Sequence, residues 1–108
     1  RVLPADLVAD VDRSGWIVPP VFDLVRRLGS VPWDDLEGTL NLGVGMVAVV
    51  DPEWADAVRG VAQAADIPAW VLGGVHEAQS YGPRGRLVAG TKGVDGGAVD
   101  VFGSYRTA

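Results

Sequence analysis

The run Gly45–Val50, "GMVAVV", followed at once by "DPEW", constrains this chain more than any other stretch. It is an uncharged apolar run of strand length, of the kind found in central strands. Asp51 is a favourable helix N-cap, and Pro52 suits the first helical position, where a missing N–H costs little. Trp54, Val58, Val61, Ala62 and Ala65 then recur at helical spacing. The pattern predicts a central strand that delivers the chain directly into a helix.

The flanking sequence predicts further elements. Leu7–Asp12 reads as a strand, and Arg13–Trp16 turns the chain. Val21, Leu24, Val25 and Leu28 mark one face of a helix entered through Pro19 and Pro20. Arg26 and Arg27 complement its dipole, and Gly29 is expected to close it. Ser30 is expected to cap a second helix, with Pro32 in its first turn and Asp34, Asp35 and Glu37 near its positive end; Gly38 weakens it. Ala69–Val75 reads as a strand that Gly73 and Gly74 end or bulge. Ser80–Arg86 reads as a turn, Arg86–Thr91 as a strand pairing back as a hairpin, and Lys92–Gly97 as a loop. For the remainder, a last strand and a disordered tail are equally open. The order predicts an α+β fold, a mixed β-sheet with helices packed on one face, over residues 1–91, with a tail at 92–108. The runs "VAVV" and "WVL" are apolar on both sides of the pleat, so the second sheet face needs cover from another domain or subunit.

A length of 108 residues suits one domain with one modest core. The net charge of −5, with no basic run beyond Arg26-Arg27, argues against nucleic acid as the main partner. The absence of cysteine excludes disulfides and thiolate metal sites and fits a cytoplasmic location. No apolar run reaches the roughly 18 residues of a membrane span. The opening "RVLPADLVAD" has neither a signal-peptide pattern nor a Met start, and it is expected to begin in mid-protein.

Residues with chemical potential are few. The single histidine, His76, follows a strand and has no nucleophile signature beside it, so a solvated strand end is the favoured reading. Asp34 and Asp35 point about 100° apart on a helix and serve its dipole. Asp10 and Asp12 share one side of their strand, with Arg13 following; a strand end meeting solvent is the commoner explanation of such a pair. Trp16, Trp33, Trp54 and Trp70 are spread one per element, without interleaved basic residues, which favours core or interface anchoring over base stacking. "NLGVGM" (Asn41–Met46) lacks the Lys-Ser/Thr of a P-loop and the glycine spacing of a dinucleotide site, and it precedes a strand rather than a helix. Locally it reads as a helix stop, with Gly43 at positive φ and Gly45 permitting close backbone approach.

Three pieces in order, "RVLP" (Arg1–Pro4), "VDRSGWIVPPVFDLVRRLGSV" (Val11–Val31) and "LNLGVGMVAVVDPEWADAV" (Leu40–Val58), resemble the C-terminal domain of phosphoribosylformylglycinamidine cyclo-ligase, also called aminoimidazole ribonucleotide synthetase. "AWVLGGV" is similar to the family's next strand. The resemblance covers roughly residues 1–76, through its Asp-Arg-Ser-x-Trp, Pro-Pro-x-Phe and Asn-x-Gly-x-Gly-Met pieces. Gly15 stands where the family has Ser, Gly74 where it has Glu, and the sequence after Glu77 resembles nothing specific.

The resemblance implies a PurM-like C-terminal domain, truncated at its N-terminal end, from an enzyme that closes formylglycinamidine ribonucleotide to aminoimidazole ribonucleotide in purine biosynthesis. It implies ATP and Mg²⁺ for the full-length enzyme, a homodimer, and a missing N-terminal domain that provides most of the nucleotide site and the "HITGGG"-type loop. It places Asn41, Gly43 and Gly45, and then Asp12, Arg13 and Ser14, along a groove for a small ribonucleotide substrate. The chain by itself is expected to bind neither ATP nor Mg²⁺ and to be inactive, with no catalytic or metal-binding residue of its own. The rival expectations are a stand-alone, non-catalytic interaction module of the same fold and a related ATP-dependent enzyme of the superfamily.

Overall fold

The computed structural model describes residues 2–90 and 96–108. In chain order the elements are β1 (Leu7–Asp12), a 3₁₀ turn (Arg13–Gly15), β2 (Ile17–Val18), α1 (Pro20–Gly29), α2 (Trp33–Glu37), a 3₁₀ turn (Pro52–Trp54) running into α3 (Ala55–Ala64), β3 (Val75–Glu77), a 3₁₀ turn (Ala78–Ser80), β4 (Arg86–Ala89), β5 (Ala98–Phe102) and β6 (Arg106–Thr107). They fall into two units, Arg1–Gly15 with Leu72–Ser104, and Trp16–Val71 with Tyr105–Ala108. The secondary structure is α+β, with a mixed sheet, as the sequence predicts.

The first unit is a four-stranded sheet in the order β3-β1-β5-β4. β1 and β5 run parallel, with Asp10 opposite Asp100 and Val11 opposite Val101; the outer pairs are antiparallel. Because side chains alternate along a strand, Val8, Asp10, Asp12, Asp100 and Phe102 share one face, and Ala9, Val11, Val99 and Val101 the other. Val8 and Asp100 are buried. Residues 98–102, left open between strand and tail by the sequence, are thus an inner strand. β4 does form, but it pairs with β5 and not with the segment before it. Residues 91–95, which include most of the expected Lys92–Gly97 loop and the expected boundary between 91 and 92, lie outside the described residues, as does Arg1.

The second unit holds the three α-helices and the two-stranded parallel pair β2–β6. Its buried side chains are Trp16, Val18, Leu36 and Leu42. α1 starts at Pro20, in the first position as expected, with Asp23 bridged to Arg26 and Arg27 on its surface. Its end departs from expectation. Gly29 is still helical, and Ser30 takes the left-handed conformation (φ 52°), its N–H capping Arg26 and Arg27 carbonyls. Ser30 therefore closes α1 and does not cap α2, whose N-cap position is held by Pro32. Asp51 caps the turn leading into α3, its Oδ1 accepting from the Glu53 amide at 3.4 Å.

Two expected strands are absent. Gly45–Val50 is not in a strand, and Met46, Val47 and Val49 are exposed. Apolar composition reports only fitness for a pleated, half-buried surface. A strand also needs a ladder, and among the described residues this run makes no backbone hydrogen bond. Of Ala69–Val75 only Val75 enters a strand. Trp70 stacks instead on Trp16, with ring centroids 6.1 Å apart. Just before β3 the backbone docks on β1, the Asp10 amide donating to the Gly74 carbonyl at 2.9 Å. A Cβ on Gly73 would stand 1.7 Å from the Asp10 carbonyl oxygen, so only glycine fits there.

Candidate functional site

The predicted site residues divide between the units. Asn41, Gly43 and Gly45 belong to the second. α2 ends at Glu37, and Leu36 accepts a last bond from the Leu40 amide at 2.8 Å. Asn41 then starts a tight turn. Its Oδ1 accepts from the Gly43 amide at 2.9 Å, and its carbonyl from the Val44 amide at 3.0 Å. Such an Asx turn is a common use of asparagine at a chain reversal. Leu42 (φ 53°) and Gly43 (φ 97°) both take positive φ. The buried Leu42 carbonyl accepts from Trp16 Nε1 at 2.9 Å, which pins the turn to the aromatic core.

Gly43 is required twice over. Its φ suits glycine, and a Cβ there would stand 2.6 Å from Cδ and 2.9 Å from Cγ of Pro19. At Gly45 the expected close approach is missing, since nothing lies within 4 Å of where a Cβ would stand and the residue is exposed.

Around this turn the aromatic residues assemble as a core. Trp16 meets Tyr105 edge-on at 5.7 Å, Trp33 lies 4.8 Å from Tyr105, and the Tyr105 hydroxyl donates to Glu37 at 2.5 Å. Arg26 stacks over Trp33 at 4.8 Å. Core anchoring, the expected role of tryptophan, holds for Trp16, whereas Trp54 is exposed.

Asp12, Arg13 and Ser14 belong to the first unit, where β1 passes into its 3₁₀ turn. Asp12 Oδ1 accepts from the Ser14 amide at 2.9 Å and the Ser14 hydroxyl at 2.7 Å. Arg13 donates to the carbonyls of Val101 and Gly103 at 3.2 and 3.3 Å, tying the end of β1 to the end of β5. Gly103 takes φ 74°, and a Cβ there would stand 2.7 Å from Asp12 Oδ1. The three residues form one hydrogen-bonded corner.

A second polar cluster on this unit was not legible as such. Asp10 accepts from the Gly74 amide at 2.6 Å, faces His76 Nε2 at 3.3 Å and pairs with the Arg84 guanidinium. Burial opposes its charge, but the Gly74 amide, His76 and Arg84 together outweigh burial and hold its carboxyl below the usual range. The Arg84 amide, the Tyr81 hydroxyl and the Gly85 amide do the same for Asp100. His76 is exposed in β3, as expected of a solvated strand end, and in addition its Nε2 lies 3.3 Å from Asp10 and its ring stacks on Tyr81 at 5.1 Å. Asp10 pairs across strands with Asp100 rather than along the strand with Asp12. The acid inside "AVDVF" is the signal that could have revealed it.

Among the described residues no group of three or more His, Asp or Glu side chains is placed to hold a metal ion. Ser14 and Ser80 direct their hydroxyls to Asp12 and to the Glu77 carbonyl. What the geometry shows is two hydrogen-bonded backbone corners, a left-handed glycine turn and an Asp-Arg-Ser corner.

Comparison with known proteins supplies the context. The phosphoribosylformylglycinamidine cyclo-ligase of Symbiobacterium thermophilum is 46% identical over 84 residues, 78% of this chain and 24% of that protein. The putative phosphoribosylformylglycinamidine cyclo-ligase of Streptomyces fradiae is 45% identical over 89 residues, 82% of this chain and 49% of that protein. A bifunctional purine biosynthetic protein of Pichia angusta is 40% identical over 73 residues, 68% of this chain and 9% of that protein. No family model and no solved structure matches. The chain therefore spans between about a quarter and a half of the length of the first two relatives. By sequence, the chain is a homologue of the phosphoribosylformylglycinamidine cyclo-ligases.

Proposed function

We propose that the chain contributes the C-terminal, PurM-like part of a cytoplasmic, homodimeric cyclo-ligase that closes formylglycinamidine ribonucleotide to aminoimidazole ribonucleotide. The identity to the Symbiobacterium thermophilum enzyme carries this reading. ATP, when bound, supplies the phosphoryl group that activates the amide oxygen for ring closure. In this reading the ligands of ATP and Mg²⁺ come from outside this chain.

The chain's own contribution is to shape and orient. Gly43, left-handed and packed on Pro19, lets the backbone turn without a side chain and present the Asn41–Gly45 segment to the substrate. Asp12 and Arg13 fix the Ser14 corner as a second contact. Rigid corners of this kind raise the rate by positioning and leave the chemical groups to the rest of the enzyme.

The test is a domain exchange. This chain replaces the matched region of the Symbiobacterium thermophilum enzyme. ATP-dependent ring closure within about tenfold of the parent, a loss of no more than about 1.4 kcal/mol in transition-state stabilisation, is expected. A folded, ATP-binding chimera without ring closure refutes the reading. Ring closure by residues 1–108 alone refutes the proposed dependence on the rest of the enzyme. A second reading, a non-catalytic interaction module, is favoured by the exposure of Met46, Val47 and Val49. It predicts an inactive chimera.

A further inference from the structure

The polar face of the first unit carries a device that the proposed function does not use. Asp10 on β1 and Asp100 on β5 are direct partners in the parallel register, so their carboxylates leave the same face of the sheet. Both reach the connection between β3 and β4. Asp100, fully buried, accepts from the Tyr81 hydroxyl (2.5 Å) and the Arg84 amide (2.7 Å) on Oδ2, and from the Gly85 amide (2.9 Å) on Oδ1. Asp10 pairs with the guanidinium of the same Arg84, which also lies 3.9 Å over the Phe102 ring. Residues 82–85 are otherwise exposed.

We propose that Asp10 and Asp100 form an acid-released latch for the connection 81–85: ionised, they hold it on the sheet, and protonated, they let it go while the strands stay paired. A carboxylate accepts at both oxygens, whereas a carboxylic acid must place one O–H. Around Asp100 that O–H meets donors, and two of the three are backbone amides that cannot reverse. The strands do not depend on these bonds, because β1, β5 and β4 are joined by their own ladders.

The other groups facing the pair are His76 from β3, Tyr81 and Arg84 from the connection, and Asp12 further along β1. Glu77 and Arg86 stand on the opposite face, through their register with Leu7 and Val101. Both carboxyls are held below their usual range, Asp100 chiefly by the Arg84 amide, and Asp10 by the Gly74 amide and His76 against burial. A lowered folded value stabilises above the unfolded carboxyl value of about 3.9 and is lost as pH falls through the folded one. Release therefore occurs below about pH 4.

Amide hydrogen exchange read by NMR from about pH 7 to about pH 2, corrected for intrinsic rates, tests the latch. The Arg84 and Gly85 amides are expected to lose at least about tenfold in protection, while β1 and β5 amides keep theirs. In Asp100→Asn the two loop amides should already be weakly protected near neutrality and stay flat with pH. Tyr81→Phe removes one donor that holds the Asp100 carboxyl down and keeps both amide bonds, so release should move to higher pH. Loop amides that stay protected as long as the sheet overturn the proposal. So does simultaneous loss of loop and sheet amides, or a Tyr81→Phe profile that does not move.

Discussion

Replacing Gly43 by alanine separates two terms that the structure makes explicit. At φ 97° an L-residue pays the left-handed penalty of about 1–2 kcal/mol. The new Cβ would also stand 2.6 and 2.9 Å from the Pro19 ring, which has no rotamer by which to retreat. Forcing such a contact costs about 1–3 kcal/mol. The sum is about 2–5 kcal/mol, or roughly 30- to 5,000-fold in the unfolding equilibrium. Trp16, Trp33, Trp54 and Trp70 all lie in the second unit, so tryptophan fluorescence in urea reports that unit directly. The midpoint should fall with an unchanged slope, as a change in stability without a change in compactness requires. Gly45→Ala is the control. With open space at its Cβ and no positive φ, it should lie between no change and about 1 kcal/mol of stabilisation. A Gly43→Ala change below about 0.5 kcal/mol, or an equal loss at Gly45, refutes the reasoning.

Gly73→Ala should destabilise the first unit by at least about 3 kcal/mol, measured by exchange of the β1 amides, because its Cβ would overlap the Asp10 carbonyl at 1.7 Å. Trp16→Phe leaves the buried Leu42 carbonyl without its 2.9 Å donor and should cost about 1–3 kcal/mol by urea denaturation followed through far-UV circular dichroism. Asp51→Ala should cost only about 0.5 kcal/mol of α3 stability by the same measurement, since its capping bond is long and exposed. Asp10→Asn should flatten the acid dependence of Gly74 amide protection. The wild-type carboxylate accepts that amide at 2.6 Å and is held below its usual range by it and by His76, against burial, so its contribution disappears as pH falls through the lowered value.

What was legible in the sequence follows how many bodies each feature needs. Pro20 in the first position of α1 and the Asp51–Pro52 entry to α3 depend on residues within one turn of each other, and both are present. Positive φ at Gly43 was read correctly for the same reason. The end of α1 was misassigned by one residue, because Ser30 tolerates the left-handed conformation that Gly29 was expected to supply. Strands failed at longer range. Gly45–Val50 has the composition of a central strand and no ladder, whereas Ala98–Phe102, with an acid at its centre, is an inner strand between β1 and β4. Its partner β1 lies far upstream in sequence, and no local pattern announces a parallel pairing of that span.

Asp100 explains why this strand was the hardest to read. An acid among valines looks like a residue that must face water, because burying an unpaired charge is prohibitive. Here it is fully buried and yet satisfied, since the connection 81–85 delivers two amides and a hydroxyl to its oxygens. Those amides would otherwise need partners of their own, as backbone donors at a sheet surface do. Carboxylate and loop each remove the other's cost, so neither is favourable alone, and the favourable term belongs to the pair. Removing Asp100 strands the donors, and removing the loop strands the charge. Such a term has no representation in composition or periodicity, which describe residues singly. It becomes visible only when the chain brings residues 81–85 and 100 together, and the Asp10–Arg84 pair on the next strand repeats the arrangement.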